Sequence, residues 1–124
     1  MVPARRRVVR LELPIDTRIV RVARLVAGGL AATAGFDIEE VDDLRIAVDE
    51  VCGVLFEIGD GSPVDLTFTI DEQQVEIAGR TPAQTPAVEP ARFTLSEQIV
   101  SAACDGHSWG VEGGVAYFNV YKRA

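Results

Sequence analysis

Cysteine and histidine are scarce in this chain of 124 residues, which contains two cysteines and one histidine. Cys52 and Cys104 do not have the paired spacing of a zinc site, and two cysteines do not form a disulfide framework. We therefore expect reduced, mostly buried thiols and no metal site. His107, next to Trp109, lacks the partners that nucleophilic catalysis or zinc would require, so we predict a structural role for it.

Long apolar runs and phosphate-binding motifs are missing as well. No uninterrupted apolar segment approaches the roughly 18 residues of a membrane span, and the basic N-terminus is not followed by the apolar segment of a signal peptide. The sequence also lacks a glycine-rich loop of the Walker or dinucleotide-binding kind. We predict a cytoplasmic protein with no membrane contact, and no motif predicts nucleotide binding.

The net charge of −7 is unevenly distributed. Residues 1–35 hold seven arginines and two acidic residues, whereas residues 36–124 hold five basic and seventeen acidic residues. The only basic cluster is Arg5, Arg6, Arg7 and Arg10, which is narrow for binding a phosphate backbone. We therefore expect protein partners and no direct nucleic-acid binding. The length suits one domain, which we place at 7–124 after a flexible basic N-terminus at 1–6.

Hydrophobic patterning predicts an α+β fold. The first half of the chain should contain a strand at 7–13, a helix from a cap at Asp16 or Thr17 to Thr33, and a helix from Asp37 to about Ile58. A hairpin of 64–70 and 75–77 and an exposed, proline-spaced loop at 81–92 should follow. The last elements are a short helix at 97–104, with Leu95, Ile99, Val100 and Ala103 facing inward, and a hairpin of 107–111 and 115–121. This order predicts a two-layer sandwich with a mixed, mostly antiparallel sheet and three helices on one face.

The second predicted helix carries a row of carboxylates. Asp43, Glu50 and Glu57 are spaced by seven residues and so lie on one helix face. A carboxylate on that face, beside the sheet, could act as a general base toward a hydroxyl group or a water molecule. A solvated acidic helix face would give the same pattern. The residues alone leave both interpretations open.

A family resemblance is carried by the segment Leu44-Arg45-Ile46-Ala47-Val48-Asp49-Glu50-Val51-Cys52. It resembles a helix of the anti-sigma-factor serine kinases, switch proteins with the histidine-kinase-like ATPase fold, and in particular their actinobacterial branch. The order of elements is similar to that fold from about Val8 to Lys122. The resemblance implies a homodimer that sequesters a sigma factor and uses Mg-ATP to phosphorylate a serine of an anti-anti-sigma factor.

The positions that would bind nucleotide depart from this family. Glu50 falls at the family's catalytic carboxylate, but Val54 stands where an asparagine would hold magnesium. No carboxylate occurs near Ala78 and Gly79, where the adenine-binding aspartate would fall, and residues 81–95, at the ATP lid, contain no glycine. Valine offers no oxygen to a hard cation, and a lid needs glycine to curve around phosphates. We expect a vacated nucleotide site, with Glu50 as a remnant, weak or absent ATP binding and no kinase activity.

Partner contacts do not require those positions. The resemblance places a partner-binding arginine of the first helix at about Arg21, and we expect Arg18 and Arg24 to lie near it. Guanidinium groups suit protein interfaces because their donor fork is rigid and weakly hydrated. A solvated arginine row is the alternative. The expected partner is a sigma factor, an anti-anti-sigma factor, or both.

Two other functions fit the same residues. An active serine kinase could use Glu50 with unusual nucleotide contacts. A small-molecule sensor could hold an apolar ligand in the vacated pocket, lined by Ala47, Val54 and Ala78. Oxidation of Cys52 could then gate that pocket.

Overall fold

The computed structural model describes residues 6–91 and 93–124. Apart from Arg6, the predicted flexible N-terminus lies outside the described residues. The elements are β1 (Arg7–Leu13), α1 (Val20–Thr33), α2 (Ile38–Ile58), β2 (Val64–Asp71), β3 (Gln74–Pro82), α3 (Phe93–Ala103), β4 (Gly106–Glu112) and β5 (Val115–Arg123). None of the described helices has the length and apolar character needed to cross a membrane.

The five strands form one sheet in the order β1-β2-β3-β5-β4. The predicted α+β two-layer fold is confirmed, and every pairing among the described strands is antiparallel where a mixed sheet was predicted. α1 and α2 return the chain to the C-terminal end of β1. Leu13, the last residue of β1, therefore pairs with Val64, the first residue of β2, and the two strands run antiparallel. α2 lies centrally against the sheet and contacts β2, β3 and β5.

The first helix begins later than predicted. The carboxylate of Asp16 accepts hydrogen bonds from the backbone N–H of Arg18 at 2.9 Å and from its guanidinium at 2.9 and 3.1 Å. These bonds hold a turn before the helix, so Asp16 does not cap it. The buried face of α1 is made of small residues: Ala23, Ala27 and Ala31 are fully buried, whereas Val22 is 40% exposed. Small side chains allow α1 to approach α2 closely.

The predicted start of the second helix is confirmed. Asp37 Oδ1 accepts a hydrogen bond from the backbone N–H of Glu40 at 2.8 Å, and Glu40 Oε1 accepts one from the backbone N–H of Asp37 at 2.9 Å. This reciprocal arrangement is a capping box, which satisfies two N–H groups that a helix leaves without partners. It fixes the residue at which α2 begins.

The segment predicted as a loop at 81–92 is partly ordered structure. Strand β3 continues through Pro82, whose carbonyl accepts a hydrogen bond from the backbone N–H of Asp60 at 2.9 Å. α3 starts four residues earlier than predicted, at Phe93. The earlier start changes which side chains face the core: Leu95 is 59% exposed, and Ser96 is fully buried. The prediction that Leu95 faces inward is therefore wrong.

Candidate functional site

The carboxylate row of α2 faces the segment that follows β3. Glu50 is only 6% exposed, and its Oε1 accepts a hydrogen bond from the hydroxyl of Ser96 at 3.0 Å. The helix α3 therefore lies directly over the carboxylate that the sequence singled out. A buried carboxylate is costly without hydrogen-bond donors, and the Ser96 hydroxyl is one donor that offsets this cost.

The other two carboxylates of the row also bind groups of the protein. Asp43 Oδ2 lies 3.4 Å from the ammonium of Lys122, which donates a hydrogen bond to the carbonyl of Ala103 at 2.7 Å. Glu57 Oε1 accepts a hydrogen bond from the backbone N–H of Ala91 at 2.8 Å. The row is therefore not uniformly solvated: Glu50 is buried, whereas Asp43 and Glu57 are partly exposed and contact later parts of the chain.

The start of α3 is held by an aromatic pair and the histidine. The ring centroids of Phe93 and Trp109 are 3.8 Å apart, and His107 Nε2 lies 3.9 Å from Glu97 Oε2. These contacts join α3 to β4 and agree with the structural role predicted for His107. Trp109 is the only tryptophan of the chain, so its fluorescence can report whether α3 is in place.

Of the predicted nucleotide-site positions, Gly79 lies in a tight contact between α2 and β3. Val54 is fully buried. A Cβ atom added at Gly79 would lie 2.5 Å from Leu55 Cδ1 and 3.0 Å from Val51 Cγ1. Side chains of α2 thus fill the space above Gly79, and not even a methyl group fits there without displacement.

Ala78 lies on the other side of the sheet. Successive side chains of a strand point to opposite faces, and along β3 the buried positions include Val75, Ile77 and Gly79 while Ala78 is only partly buried. Val54 and Ala78 therefore do not line one cavity. The prediction of a small-molecule pocket lined by both residues is wrong, because the pleat of β3 places Ala78 on the face of the sheet opposite to α2.

The predicted arginines fall into two different environments. Arg18 lies in the turn before α1, where its side chain is 88% exposed and its Nη2 is 2.9 Å from Asp16 Oδ2; these hydrogen bonds lower the pKa of Asp16. Arg24 Nη1 on α1 is 3.3 Å from Asp49 Oδ2. Arg21, also on α1, is exposed. Only Arg21 and Arg24 come together as predicted.

A groove of about 450 Å³ is lined by Arg21, Arg24, Leu25 and Arg45. Arg45, from α2, was missed because nothing in the local sequence links it to α1. A Cβ atom at Gly28 would lie 3.0 Å from both Arg45 Nε and Nη2, so the absence of a side chain at Gly28 is what lets the guanidinium cross α1. The feature of the sequence that could have indicated this contact is Gly28 itself, a glycine within a predicted helix. We call these four lining residues the arginine groove.

Burial decides the state of the two thiols. Desolvation raises the pKa of Cys52 to about 12, and Cys52 is fully buried. Desolvation likewise raises the pKa of Cys104 to about 11. Both groups remain protonated thiols at neutral pH, and the thiolate is the reactive form. This argues against gating by oxidation of Cys52.

Comparisons with known proteins agree with the resemblance. No protein-family model matches the chain. It is 28% identical over 89 residues to the serine-protein kinase RsbW of Halalkalibacterium halodurans, covering 70% of this chain and 55% of that protein. It is 32% identical over 73 residues to RsbW of Listeria monocytogenes, covering 56% of this chain and 46% of the relative. The chain thus spans about half the length of these curated relatives.

Solved structures show the same fold. The RsbU and RsbW domains of a Mycobacterium tuberculosis protein superpose with a TM-score of 0.74 at 15% identity, covering 94% of this chain and 32% of that one. A chain of the SiaB–SiaC complex from Pseudomonas aeruginosa superposes with a TM-score of 0.62 at 8% identity, covering 94% and 89%. The chain is thus similar in sequence to serine-protein kinases named RsbW and has the same fold as these solved structures.

Proposed function

We propose that this domain is an anti-sigma-factor-like regulatory protein that acts as a homodimer and binds a sigma factor, an anti-anti-sigma factor, or both, with lost or weak ATP binding. The observation that carries the proposal is the buried hydrogen bond between Ser96 and Glu50. Where the resemblance implies a catalytic carboxylate facing nucleotide and substrate, this chain places its own helix α3.

Three features support the loss of nucleotide chemistry. The carboxylate of Glu50 contacts a hydroxyl of its own chain, and a general base must instead reach the proton it removes. Val54 provides no ligand atom for magnesium, which prefers oxygen. The close packing at Gly79 fills the space next to β3 with Leu55 and Val51.

The nucleotide half of the proposal is tested by isothermal titration of the protein with Mg-ATP. We expect no saturable heat at protein concentrations of about 100 μM. A dissociation constant in the millimolar range, which corresponds to a binding free energy of roughly −4 kcal/mol, would leave most of the protein without nucleotide at that concentration. Micromolar binding would overturn this half. Transfer of radiolabelled phosphate from ATP to the anti-anti-sigma factor, abolished by Glu50→Gln, would establish the kinase alternative.

The arginine groove supports the binding half. It gathers three guanidinium groups and an exposed leucine in a chain whose net charge is −7. Arg24 pairs with Asp49 at 3.3 Å and Arg45 with Asp42 at 3.6 Å, and Arg21 lies exposed to solvent. Leu25 is 66% exposed and provides an apolar anchor beside the charges. Arginine and large apolar side chains are the residue types enriched where protein interfaces bind most strongly.

The binding half is tested by capture of the purified sigma factor and anti-anti-sigma factor encoded in the same genome. Arg21→Glu should weaken capture at least about tenfold while the circular dichroism spectrum and melting temperature stay unchanged. Arg7→Glu, a charge reversal at the exposed start of β1, is the matched control and should leave capture unchanged. Equal capture by wild type and Arg21→Glu would remove the groove from the proposal.

A further inference from the structure

The sheet ends in a strand that is paired on one side only. In the order β1-β2-β3-β5-β4, the strand β4 pairs with β5 from Gly106 to Glu112. No strand lies along its other side in the part of the chain that the structure describes. A row of backbone N–H and C=O groups at such an edge is a template for another extended chain.

The sheet register decides which residues of β4 turn these groups outward. At one end of the β3–β5 ladder the N–H of Ala124 donates to the carbonyl of Gln73 at 2.9 Å, and at the other end the N–H of Ala83 donates to the carbonyl of Gly114 at 2.9 Å. Hydrogen-bonded pairs alternate along antiparallel strands, so the even-numbered residues 116–122 of β5 bond β3 and the odd-numbered residues 115–121 bond β4. Their partners on β4 are the even-numbered residues 106–112. The backbone groups that point away from β5 are therefore those of His107, Trp109 and Val111.

β4 lacks the features that keep edge strands from pairing. Natural edges are interrupted by bulges, prolines or charged side chains. β4 pairs with β5 over seven residues without a bulge, contains no proline or lysine, and has its one acidic residue, Glu112, at its end. The opposite edge is different: by the same alternation the outward groups of β1 belong to Val8, Arg10 and Glu12, two of which are charged.

The helix side of this edge is apolar. Trp109 packs on Phe93 of α3 with ring centroids 3.8 Å apart, and Val111 is 38% exposed. A chain laid along β4 would place every second side chain next to these groups. Apolar β-branched side chains suit such a half-buried position on a pleated surface.

The other side of the edge is low in the middle and acidic at its ends. Gly106 and Gly110 have no side chain there, and the exposed carboxylates of Asp105 and Glu112 stand before and at the end of β4. Asp105 accepts a hydrogen bond from the backbone N–H of Arg123 at 2.7 Å, and Glu112 lines a shallow groove together with Arg80. Among the described residues, neither carboxylate has a cationic group within 4.0 Å.

We propose that the outer edge of β4 binds an extended segment of a partner protein, which adds a strand to the sheet and carries apolar β-branched side chains between two cationic ends. The three outward residues provide three N–H donors and three C=O acceptors for this strand. Its apolar side chains face Trp109 and Val111, and its cationic ends lie near Asp105 and Glu112. This surface is separate from the arginine groove, so the inference goes beyond the proposed function and does not depend on it.

The blocked synthetic peptide acetyl-Lys-Val-Thr-Val-Thr-Val-Lys-amide, added to the full chain, tests this inference. Trp109 fluorescence reports binding, and we expect a dissociation constant on the order of 100 μM, because one short strand buries less than a standard interface. Hydrogen exchange measured by NMR locates the peptide. The amides of His107, Trp109 and Val111 should exchange at least about tenfold more slowly with peptide bound, whereas those of Ser108 and Gly110, which bond β5, should change little.

Two matched peptides separate backbone pairing from charge. Replacing both threonines with proline keeps the lysines and valines but removes N–H donors, so we expect no binding up to about 1 mM. Replacing both lysines with glutamate should weaken binding at least about threefold. Binding of the proline peptide at wild-type strength would overturn strand addition, and equal binding of the glutamate peptide would overturn the cationic ends.

Val111→Pro and Val8→Pro are a matched pair of protein variants, because each replaces an exposed valine whose N–H points outward, at opposite edges of the sheet. Proline at such a position leaves the bonds to the neighbouring strand in place. Val111→Pro should weaken peptide binding at least about tenfold, whereas Val8→Pro and Arg21→Glu should leave it unchanged. Val111→Lys, which brings a cation to the same edge without changing the backbone, should weaken binding at least about threefold and keeps the test decisive if Val111→Pro melts early.

The remaining outcomes would overturn the inference. One is the absence of saturable binding at about 1 mM peptide, and another is protection of the outward amides of β1 in place of those of β4. A third concerns a second copy of the chain, whose basic β1 would pair with β4 head to tail and form assemblies that lengthen with concentration. Sedimentation of the chain without peptide that shows such growth, abolished by Val8→Pro and by Val111→Pro, would assign the edge to that occupant instead.

Discussion

The substitution Gly79→Ala examines the centre of the predicted nucleotide site. The added Cβ would lie 2.5 Å from Leu55 Cδ1, 3.0 Å from Val51 Cγ1 and 3.2 Å from Leu66 Cδ2. These atoms belong to buried side chains of α2 and β2, so none of them can move freely into solvent. If the site were an open cavity, an extra methyl group would be accepted without cost.

The expected magnitude follows from two opposing contributions. Inserting a methyl group into a packed core costs about 1–3 kcal/mol. Alanine also restricts the unfolded chain more than glycine does, which contributes about 0.4–1 kcal/mol in favour of folding. The midpoints of these two ranges leave a net loss of about 1.3 kcal/mol. With an unfolding entropy of about 2.1 cal/mol/K per residue, this lowers the melting temperature by roughly 5 °C.

Thermal and urea unfolding, followed by circular dichroism, measure this effect. Gly29→Ala is the matched control: Gly29 lies in α1 with nothing within 4 Å of its added Cβ, so alanine there should stabilise the protein by about 0.5–1 kcal/mol. A Gly79→Ala protein as stable as wild type would refute the packing argument and indicate free space between Gly79 and α2.

Three further substitutions or measurements address the rest of the molecule. Ser96→Ala removes a buried donor to Glu50 and should cost about 1–3 kcal/mol, with Trp109 fluorescence following α3 during urea unfolding; Ser101→Ala, on the exposed side of α3, should cost far less. Asp37→Ala removes half of the capping box and should cost about 1 kcal/mol, whereas Glu39→Gln in the same turn should change stability little; equal melting temperatures for the two would contradict the capping argument. Both thiols should resist the disulfide reagent DTNB at pH 8 in the native protein and react at once in denaturant. Folding raises the thiol pKa from 9.0 to about 12 for Cys52 and to about 11 for Cys104. The stability that the two thiols contribute is therefore fully present below pH 9 and is lost as the pH rises through the folded pKa values, because the unfolded chain ionises first. Alanine variants should show a smaller loss of stability at alkaline pH.

The sequence predicted most of the elements because each depends on local patterns. The alternation of β1 and β2, the cap at Asp37 and the glycines between β4 and β5 are readable from residues close together in the chain. The start of α1 was misplaced because Asp16 binds Arg18 instead of capping the helix. The start of α3 was misplaced because Phe93 joins a tertiary contact with Trp109, which no local pattern reveals.

The sequence by itself determined the α+β fold class, the spacing of Asp43, Glu50 and Glu57, and the absence of the expected oxygen ligand at Val54. Only the tertiary structure decided what those residues contact. It placed Ser96 on Glu50, filled the space above Gly79, brought Arg45 across Gly28, and set β4 at an edge of the sheet. The physical reason is separation along the chain: the residues that meet at these points are 13 to 46 positions apart, and only the packing of the helices and the sheet register bring them together.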